Sequence, residues 1–410
     1  MYDAIVIGAR CAGASTAMLL GRLGHKVLLV DKTAVGTDIP HGHFIHRQGP
    51  QRLAKWGVLD DVVATGCPLV TDITMSLGGV PLYGKNLRVD GIPFGIAPRR
   101  SALDKVLVDH AVAAGVELHD QFLVEDFLRD GDRITGIRGR DLVSGERVER
   151  LAQIVIGADG RNSRLAQAVN APTYEAVPSV SCYYFSYWSG VPMEELQLHV
   201  GADFVIFAFP TNDNLLALFV AWPIERFAEV RRDIETAFMS AIDRVPTLAE
   251  QVRAGERVEK FYGTADLPNF FRKPYGPGWV LVGDAGHHKD PFMALGIADA
   301  LRDAELVAQA VHEGLVGKRP FAEALAEFEQ KRNETSLPLY QENLARATFT
   351  PPPPEQRQIR QALVDNGNQA DTNAFYKAIL GLAPPETFFN PENIGRIMQQ
   401  VAQQPAAVPL

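Results

Sequence analysis

"IVIGARCAGAS", residues 5–15, decides the fold. The apolar run from Tyr2 ends in Gly8, and small and apolar residues then recur at helical spacing over 13–24, with Ala14, Ala17 and Leu20 on one face. A second apolar run, "KVLLVD", ends in Asp31. Strand, tight turn, helix and strand within about 30 residues make a βαβ unit. Gly8 permits the turn, Gly13 lets the helix pack on the strand, and N–H groups at the helix N-terminus face an anion. Arg10 stands where a glycine usually lets a pyrophosphate approach the backbone. Its guanidinium must turn aside or pair with the phosphates. Asp31 lies 23 residues beyond Gly8, where a carboxylate accepts both hydroxyls of an adenosine ribose, with Lys32 beside it. A packing turn in any α/β protein would share part of this pattern, so the rest of the chain must decide.

The chain has 410 residues, 46% hydrophobic and 22% charged, which predicts a globular protein of two packed, interleaved domains. A net charge of −9 gives no general attraction to phosphate backbones or anionic lipid, so no nucleic-acid partner is expected. Cys11, Cys67 and Cys182 form neither a CxxC pair nor a disulfide framework, which points to a reducing compartment, the cytoplasm by default. With no basic and apolar leader and no run of 18 uncharged apolar residues, no membrane association is expected.

The pattern predicts a helix over 99–115, a strand in "VELHDQFLVEDFL", and a hairpin over 133–160 that feeds a buried strand ending at Asp159. Aromatic and β-branched residues crowd 175–275 ("SCYYFSYWSGV", "FVIFAFP", "LLALFVAW"), as in an antiparallel sheet. "GWVLVGDAGHHKDPFMALGIADAL" then gives a strand, a loop and a long helix. After "TPPPPE" come polar helical sequence and a tail, "QQPAAVPL", expected to fray.

Two further stretches place carboxylates at strand ends. "GADGRNSRL" (157–165) carries Asp159, and "VGDAGHHKDPFMALGIADALRDAELVA" (282–308) carries Gly283 and Asp284. With the turn at 8–13, these motifs resemble, in order and approximate spacing, the FAD-dependent p-hydroxybenzoate hydroxylase-like superfamily. This superfamily contains the group A flavoprotein monooxygenases, with the related flavin halogenases and geranylgeranyl reductases. The resemblance implies an α/β fold in which a Rossmann-like FAD-binding domain is interleaved with an antiparallel-sheet substrate domain, plus C-terminal helices. The expected boundaries are 1–174 for FAD binding, with 70–98 contributing to the substrate domain, 175–275 for substrate, 276–345 for the return, and 346–410 for a C-terminal segment.

By the same resemblance Asp31 looks like the ribose carboxylate, Asp284 the partner of a ribityl hydroxyl, and Asp159 the aspartate serving flavin and nicotinamide donor. Arg100, or its neighbour Arg99, is similar to the arginine that opens the second FAD helix. Arg47 lies in the segment beside the ribityl chain, and Val124 is similar to the residue whose backbone meets adenine. Pro291 leads to Gly296 and Ile297, where helix N–H groups could stabilise the charge of a reduced flavin.

A histidine at the flavin edge, His287 or His288, could take a phenolic proton, and a loop histidine bonded to backbone would look the same. His41, His43 and His46 lack a cysteine or carboxylate at ligand spacing, so no metal is expected. Tyr183, Phe185 and Tyr187 alternate with Tyr184, Ser186 and Trp188; one face lines a flat pocket and the other packs into core or solvent. Tyr183, Phe185 and Tyr187, with Phe207, are the pocket candidates. The activity implied is hydroxylation of a phenol-like aromatic by FAD, NAD(P)H and O2, through a flavin C4a-hydroperoxide, in a monomer or homodimer. The rivals are a halogenase, an FAD-dependent double-bond reductase and a non-catalytic flavin-binding protein. The WxWxIP frame of halogenases would fall on Tyr187 to Pro192, where neither tryptophan is in place, and Lys85, in a glycine-containing loop where such an enzyme could keep its lysine, reads better as a solvated surface lysine.

Overall fold

The computed structural model describes residues 1–38, 41–88, 91–350 and 354–403. The tail expected to fray lies almost wholly outside the described residues. The chain divides into two compact units, one formed by 1–67, 98–180 and 266–347, the other by 68–97, 181–265 and 348–410.

In the first unit the parallel strands Glu117–His119, Val27–Val30, Tyr2–Ile7, Arg147–Gly157 and Trp279–Leu281 lie side by side in that order. Ile5 pairs with Leu28 on one side and Val155 on the other. All three are buried, as in parallel sheets covered on both faces. The chain leaves the first strand towards Val27–Val30, and Arg147–Gly157 joins from the opposite side. The strand order therefore reverses at the carboxyl end of the first strand, where such sheets open a crevice. The first helix runs from Cys11 to Arg22, and the helices Arg100–Ala113 and Gly296–Leu315 pack against it.

Two expectations shift here. "VELHDQFLVEDFL" is two strands, Glu117–His119 and Phe122–Asp130, because Gln121 takes a left-handed conformation (φ +51°) and turns the chain from the parallel sheet into an antiparallel meander. Thr173–Val177 pairs with Asn269–Arg272, which pairs in turn with His287–His288. This small sheet belongs to the first unit, so the unit limits fall at 180/181 and 265/266.

The second unit is an eight-stranded sheet, antiparallel except where Leu196–Val200 pairs in parallel with Ile73–Leu77. Its two faces differ in composition and packing. Tyr184, Trp188, Ile206, Leu218 and Trp222 form one core with the helices Ile234–Ile242 and Pro246–Ala254. An all-strand reading of 175–275 misses these helices. Their signals are nevertheless present: Ile234, Ala237, Phe238, Ala241 and Ile242 fall on one helical face, Asp233 caps the Thr236 N–H, and Pro246 opens the second helix.

The C-terminal helices Pro354–Asn366, Gln369–Ile379 and Pro391–Gln403 also belong to this unit. Tyr376 donates to Leu82 O at 2.7 Å, and its ring occupies the space a Cβ on Gly84 would need. Arg360 donates to Met75 O and Val80 O. These contacts cover the edge strand Val80–Gly84, which would otherwise offer unpaired backbone. Among the described residues no helix is long and apolar enough to cross a membrane.

Phe238 is fully buried and stacks on Trp188 at 5.6 Å between ring centroids. Phe238→Ala is expected to cost about 3–5 kcal/mol, measured as a lowered thermal midpoint. A change within error would mean that the two helices are not essential to this sheet.

Candidate functional site

Three strand ends deliver the three motifs to one place. Gly8 (φ +104°) has no room for a side chain, because a Cβ would lie 2.4 Å from Ala158 O. On Gly13 a Cβ would come within 1.8 Å of Gly8 O and 3.0 Å of Ala158 Cβ. On Gly283 (φ +62°) it would meet Ala12 Cβ at 2.8 Å. The turn at Gly8 therefore packs on the backbone of Ala158, and Gly283 packs on the Ala12 methyl of the following helix.

Asp31 braces the first turn: Oδ2 accepts from Ala9 N at 2.8 Å, and Oδ1 accepts from Thr33 N and Oγ1 at 2.8 and 2.7 Å. A hollow beside it is lined by Ala9, Arg10, Asp31, Thr33, Val35 and Asp104 among others. Lys32 is exposed. Arg10 has an extended backbone (φ −110°, ψ −168°) that any residue adopts, so no glycine is required for conformation there. Its guanidinium reaches Thr33 Oγ1 at 3.4 Å and Asp104 at 3.7 Å.

Asp104 went unnoticed in the sequence. It is buried, takes two hydrogen bonds from Arg100 (3.0 and 2.9 Å), and accepts from the Cys11 thiol at 3.2 Å. The signal was the i, i+4 spacing of Arg100 and Asp104 on a helix. Arg99 instead pairs with Asp38 at 2.5 Å, so of the two arginines Arg100 enters this cluster. Burial, with Asp104 beside it, holds the Cys11 thiol well above the usual thiol range, which makes it a packing group.

Asp159 caps the short helix Arg164–Ala168 by accepting from Arg164 N at 2.7 Å through Oδ2. Burial raises its pKa above the ordinary carboxylate value. Asp159 Oδ1, Arg10 Nη1 and Arg100 Nε are buried without a hydrogen-bond partner among the described residues. Asp284 is exposed in the turn Gly283–Ala285. Pro291–Met293 forms a further turn, Ala294 is left-handed (φ +49°), and the long helix begins at Gly296, with Ile297 next. A Cβ on Gly296 would meet nothing within 4 Å. His46 donates from Nε2 to Met293 O at 3.0 Å; burial lowers its pKa to about 4, so the ring is neutral. That bond holds the segment before Arg47, which precedes the helix Gln48–Lys55, against the Pro291 turn. Val124 buries its side chain in the core and pairs with Gly139.

The two histidine candidates occupy the interior. His287 stacks on Phe271 at 5.0 Å between Asp299 (3.7 Å) and Asp303 (3.4 Å). Those carboxylates also hold Arg302 at 2.7 and 2.6 Å, and Asp299 contacts Lys289. His288 stacks on Phe270 and bonds Pro268 O. Both rings are buried, and burial lowers the His287 pKa. They brace the loop, and the His288 bond to Pro268 O fits the reading of a loop histidine bonded to backbone. Among the described residues no group of three or more His, Cys, Asp or Glu is placed to hold a metal.

Two helix N-termini without acidic residues in their first turns, two guanidinium groups, a braced carboxylate and unpartnered buried polar atoms suit a dinucleotide with a pyrophosphate. Residues 1–341 match the family described as FAD binding domain. The chain belongs to that family.

Among its relatives are the digeranylgeranylglycerophospholipid reductase of Methanosarcina acetivorans and the tryptophan 2-halogenase of Chondromyces crocatus. The reductase is 23% identical over 81% of this chain and 80% of its own length. The halogenase is 26% identical over 80% of this chain and 64% of its own length. The fold is that of the myxobacterial chondrochloren halogenase CndH (TM-score 0.77, 22% identity, 98% of this chain and 97% of that one). It is also that of P. aeruginosa PqsL in complex with 2-aminobenzoylacetate (TM-score 0.70, 20% identity, 90% and 99%). The chain is therefore an FAD-dependent enzyme of this superfamily, which is the family and fold class that its motifs imply.

Two predictions follow from these turns. Arg10→Ala is expected to weaken FAD binding about tenfold or more, the loss of one charge-assisted hydrogen bond, in a flavin fluorescence titration. Unchanged affinity would leave Arg10 serving Asp104 alone. For Asp159, a folded pKa above the unfolded one means that its charge opposes folding once the pH exceeds the unfolded value. Asp159→Asn should thus hold or raise the thermal midpoint of the FAD-free protein at neutral pH, an advantage that shrinks as the pH falls towards the carboxylate range. A lowered midpoint at neutral pH would contradict the assignment.

Proposed function

We propose that this chain is an FAD-dependent monooxygenase that hydroxylates a phenol-like aromatic with NAD(P)H and O2. The observation that carries the reading is one face of the second unit's sheet. Tyr262, Phe185, Phe219 and Phe207 are register neighbours on four adjacent strands. Phe185 stacks on Phe219 at 4.4 Å and 12°, and Phe209 stacks on Phe219 at 5.5 Å. Tyr183 and Tyr187 share that face, while Tyr184 and Trp188 are used up by the helices behind. A planar ring finds offset-stacked and edge partners on such a surface, and tyrosine hydroxyls can orient its polar substituent.

In this reading the first unit binds FAD and the second binds substrate. Gly8, Arg10, Gly13, Asp31, Arg100, Asp159 and Asp284 would hold FAD, with Arg47, the Val124 backbone and Gly296–Ile297 as further contacts. Bound FAD supplies the redox and oxygen-activating chemistry; the protein binds and orients the ring and excludes water.

Halogenation of the same surface is the second reading, favoured by the match of CndH to 98% of this chain against 90% for PqsL. Two features weigh against it. Trp188 points away from the aromatic face, stacked on Phe238, and Lys85 is paired with Asp72 at 3.3 Å and Glu195 at 3.6 Å.

The test is NAD(P)H oxidation and oxygen uptake by the FAD-loaded protein with a panel of substituted phenols, with product masses recorded. The expected outcome is faster NAD(P)H consumption with a phenol that gains one oxygen atom. A halide-dependent product would favour halogenation. No stimulation by any phenol would remove the hydroxylase reading.

A further inference from the structure

Arg272 has no place in the cofactor motifs, yet it joins two of them. Its Nη1 donates to Ala285 O at 2.9 Å and its Nη2 to Arg161 O at 3.0 Å. Ala285 follows Asp284, and Arg161 stands two residues after Asp159, so one guanidinium grips both carboxylate-bearing turns across 124 residues of sequence. The strands beneath pair only as far as Gly157 and Leu281, with Val282 N donating to Gly157 O. Past that point the two turns diverge from the sheet, and the Arg272 fork spans them.

Arg272 is itself held firmly. Its backbone N–H donates to Gly286 O at 2.8 Å, and its guanidinium lies over Phe270 at 4.2 Å. Arg332, fully buried, donates to Arg272 O at 3.2 Å and Gly286 O at 3.3 Å, and is fixed by Tyr174 Oη at 2.7 Å and by Asn333. Among the described residues no carboxylate lies within 4.0 Å of the Arg272 guanidinium, so its hydrogen bonds go to backbone carbonyls. A planar fork with fixed donor directions suits a spacing task that a lysine ammonium cannot reproduce.

We propose that Arg272 is a positioning residue for the flavin, holding the Asp159 turn and the Asp284 turn at one spacing. The inference rests on both turns contacting FAD, and the experiment separates failure of that premise from failure of the inference. In the full-length protein, Arg272→Gln, Arg272→Lys, Asp159→Asn and Asp284→Asn are each stripped of FAD and titrated with it by flavin fluorescence. Thermal midpoints are recorded with and without FAD, and amide hydrogen exchange is followed at 161–163 and 285–286.

The expected result for Arg272→Gln is an FAD affinity lower by about tenfold or more, as for two hydrogen bonds from a charged donor. Its FAD-free midpoint should stay near the parent's, and exchange should quicken in both turns together. Arg272→Lys, which keeps the charge and a long aliphatic stem, should recover only part of the affinity and guards against a loss of folding in the glutamine variant. An affinity within twofold of the parent in Arg272→Gln, while Asp159→Asn and Asp284→Asn lose FAD, overturns the proposal. So does an FAD-free midpoint that falls as far as the FAD-loaded one, which would make Arg272 a core residue only. If neither aspartate variant changes FAD affinity, the premise fails and the proposal with it.

Discussion

Three backbone turns occupy a space that three side chains could not share. The contacts of Gly8 and Gly13 with Ala158, and of Gly283 with Ala12, bring segments from residues 8, 158 and 283 into van der Waals contact at the carboxyl ends of neighbouring parallel strands. The rest of the first unit follows from that closeness. Asp31 ties the first turn to the second strand through Ala9 and Thr33, Asp104 draws Arg10, Arg100 and Cys11 to the first helix, and Arg272 joins the other two turns. A methyl group at Gly13 would have to displace a carbonyl 1.8 Å away, and no flexible side chain is there to yield.

This constraint also explains which parts of the site were legible in the sequence. Gly8, Asp31, Asp159 and Gly283-Asp284 stand at the ends of apolar runs and Gly13 in the first turn of the helix that follows, so local period and turn chemistry locate them without tertiary information. Asp104, Arg272 and Arg332 are different. Each acts on groups far away in sequence, and a charged residue in a helix or at a strand end looks the same whether it faces water or a buried carbonyl. The histidines are ambiguous in the sequence for the same reason. "GHHKD" reads as a polar loop, and only the fold reveals that it pairs with Phe270 and Phe271 and meets Asp299 and Asp303. The helices at 234–254 are obscured for another reason: the aromatic and β-branched residues around them favour strands, although Asp233 and Pro246 mark the helix starts.

In the proposed function, Arg10 in place of a glycine would meet the same anion in a different way. A glycine lets phosphate approach backbone N–H groups closely; an arginine in extended conformation gives up that approach and adds a charge on a long stem. Here the charge is not idle, because Asp104 counters it in part while also holding Arg100. One carboxylate, Asp104, lies between the two guanidiniums at the N-termini of two helices, and Asp31 lines the same hollow. In the proposed function a pyrophosphate would meet these guanidinium donors and the two helix N-termini in place of the closest backbone contact.

The alternation of residues 182–188 gives the two sides of the second sheet different neighbours, with Tyr183, Phe185 and Tyr187 buried on the side away from the helices. Even-numbered positions face helices that fill every gap, with Trp188 on Phe238 and Tyr184 against Trp222. Odd-numbered positions carry a continuous row of rings instead, from Tyr262 through Phe185 and Phe219 to Phe207, although hydrophobic cores ordinarily rely on aliphatic residues for dense packing. Register makes that row possible: direct cross-strand neighbours lie about 5 Å apart, so one ring per strand tiles a flat surface. A one-residue slip of any of these strands would exchange its rings for the residues that pack on the helices, so the core behind the sheet also specifies the surface in front of it.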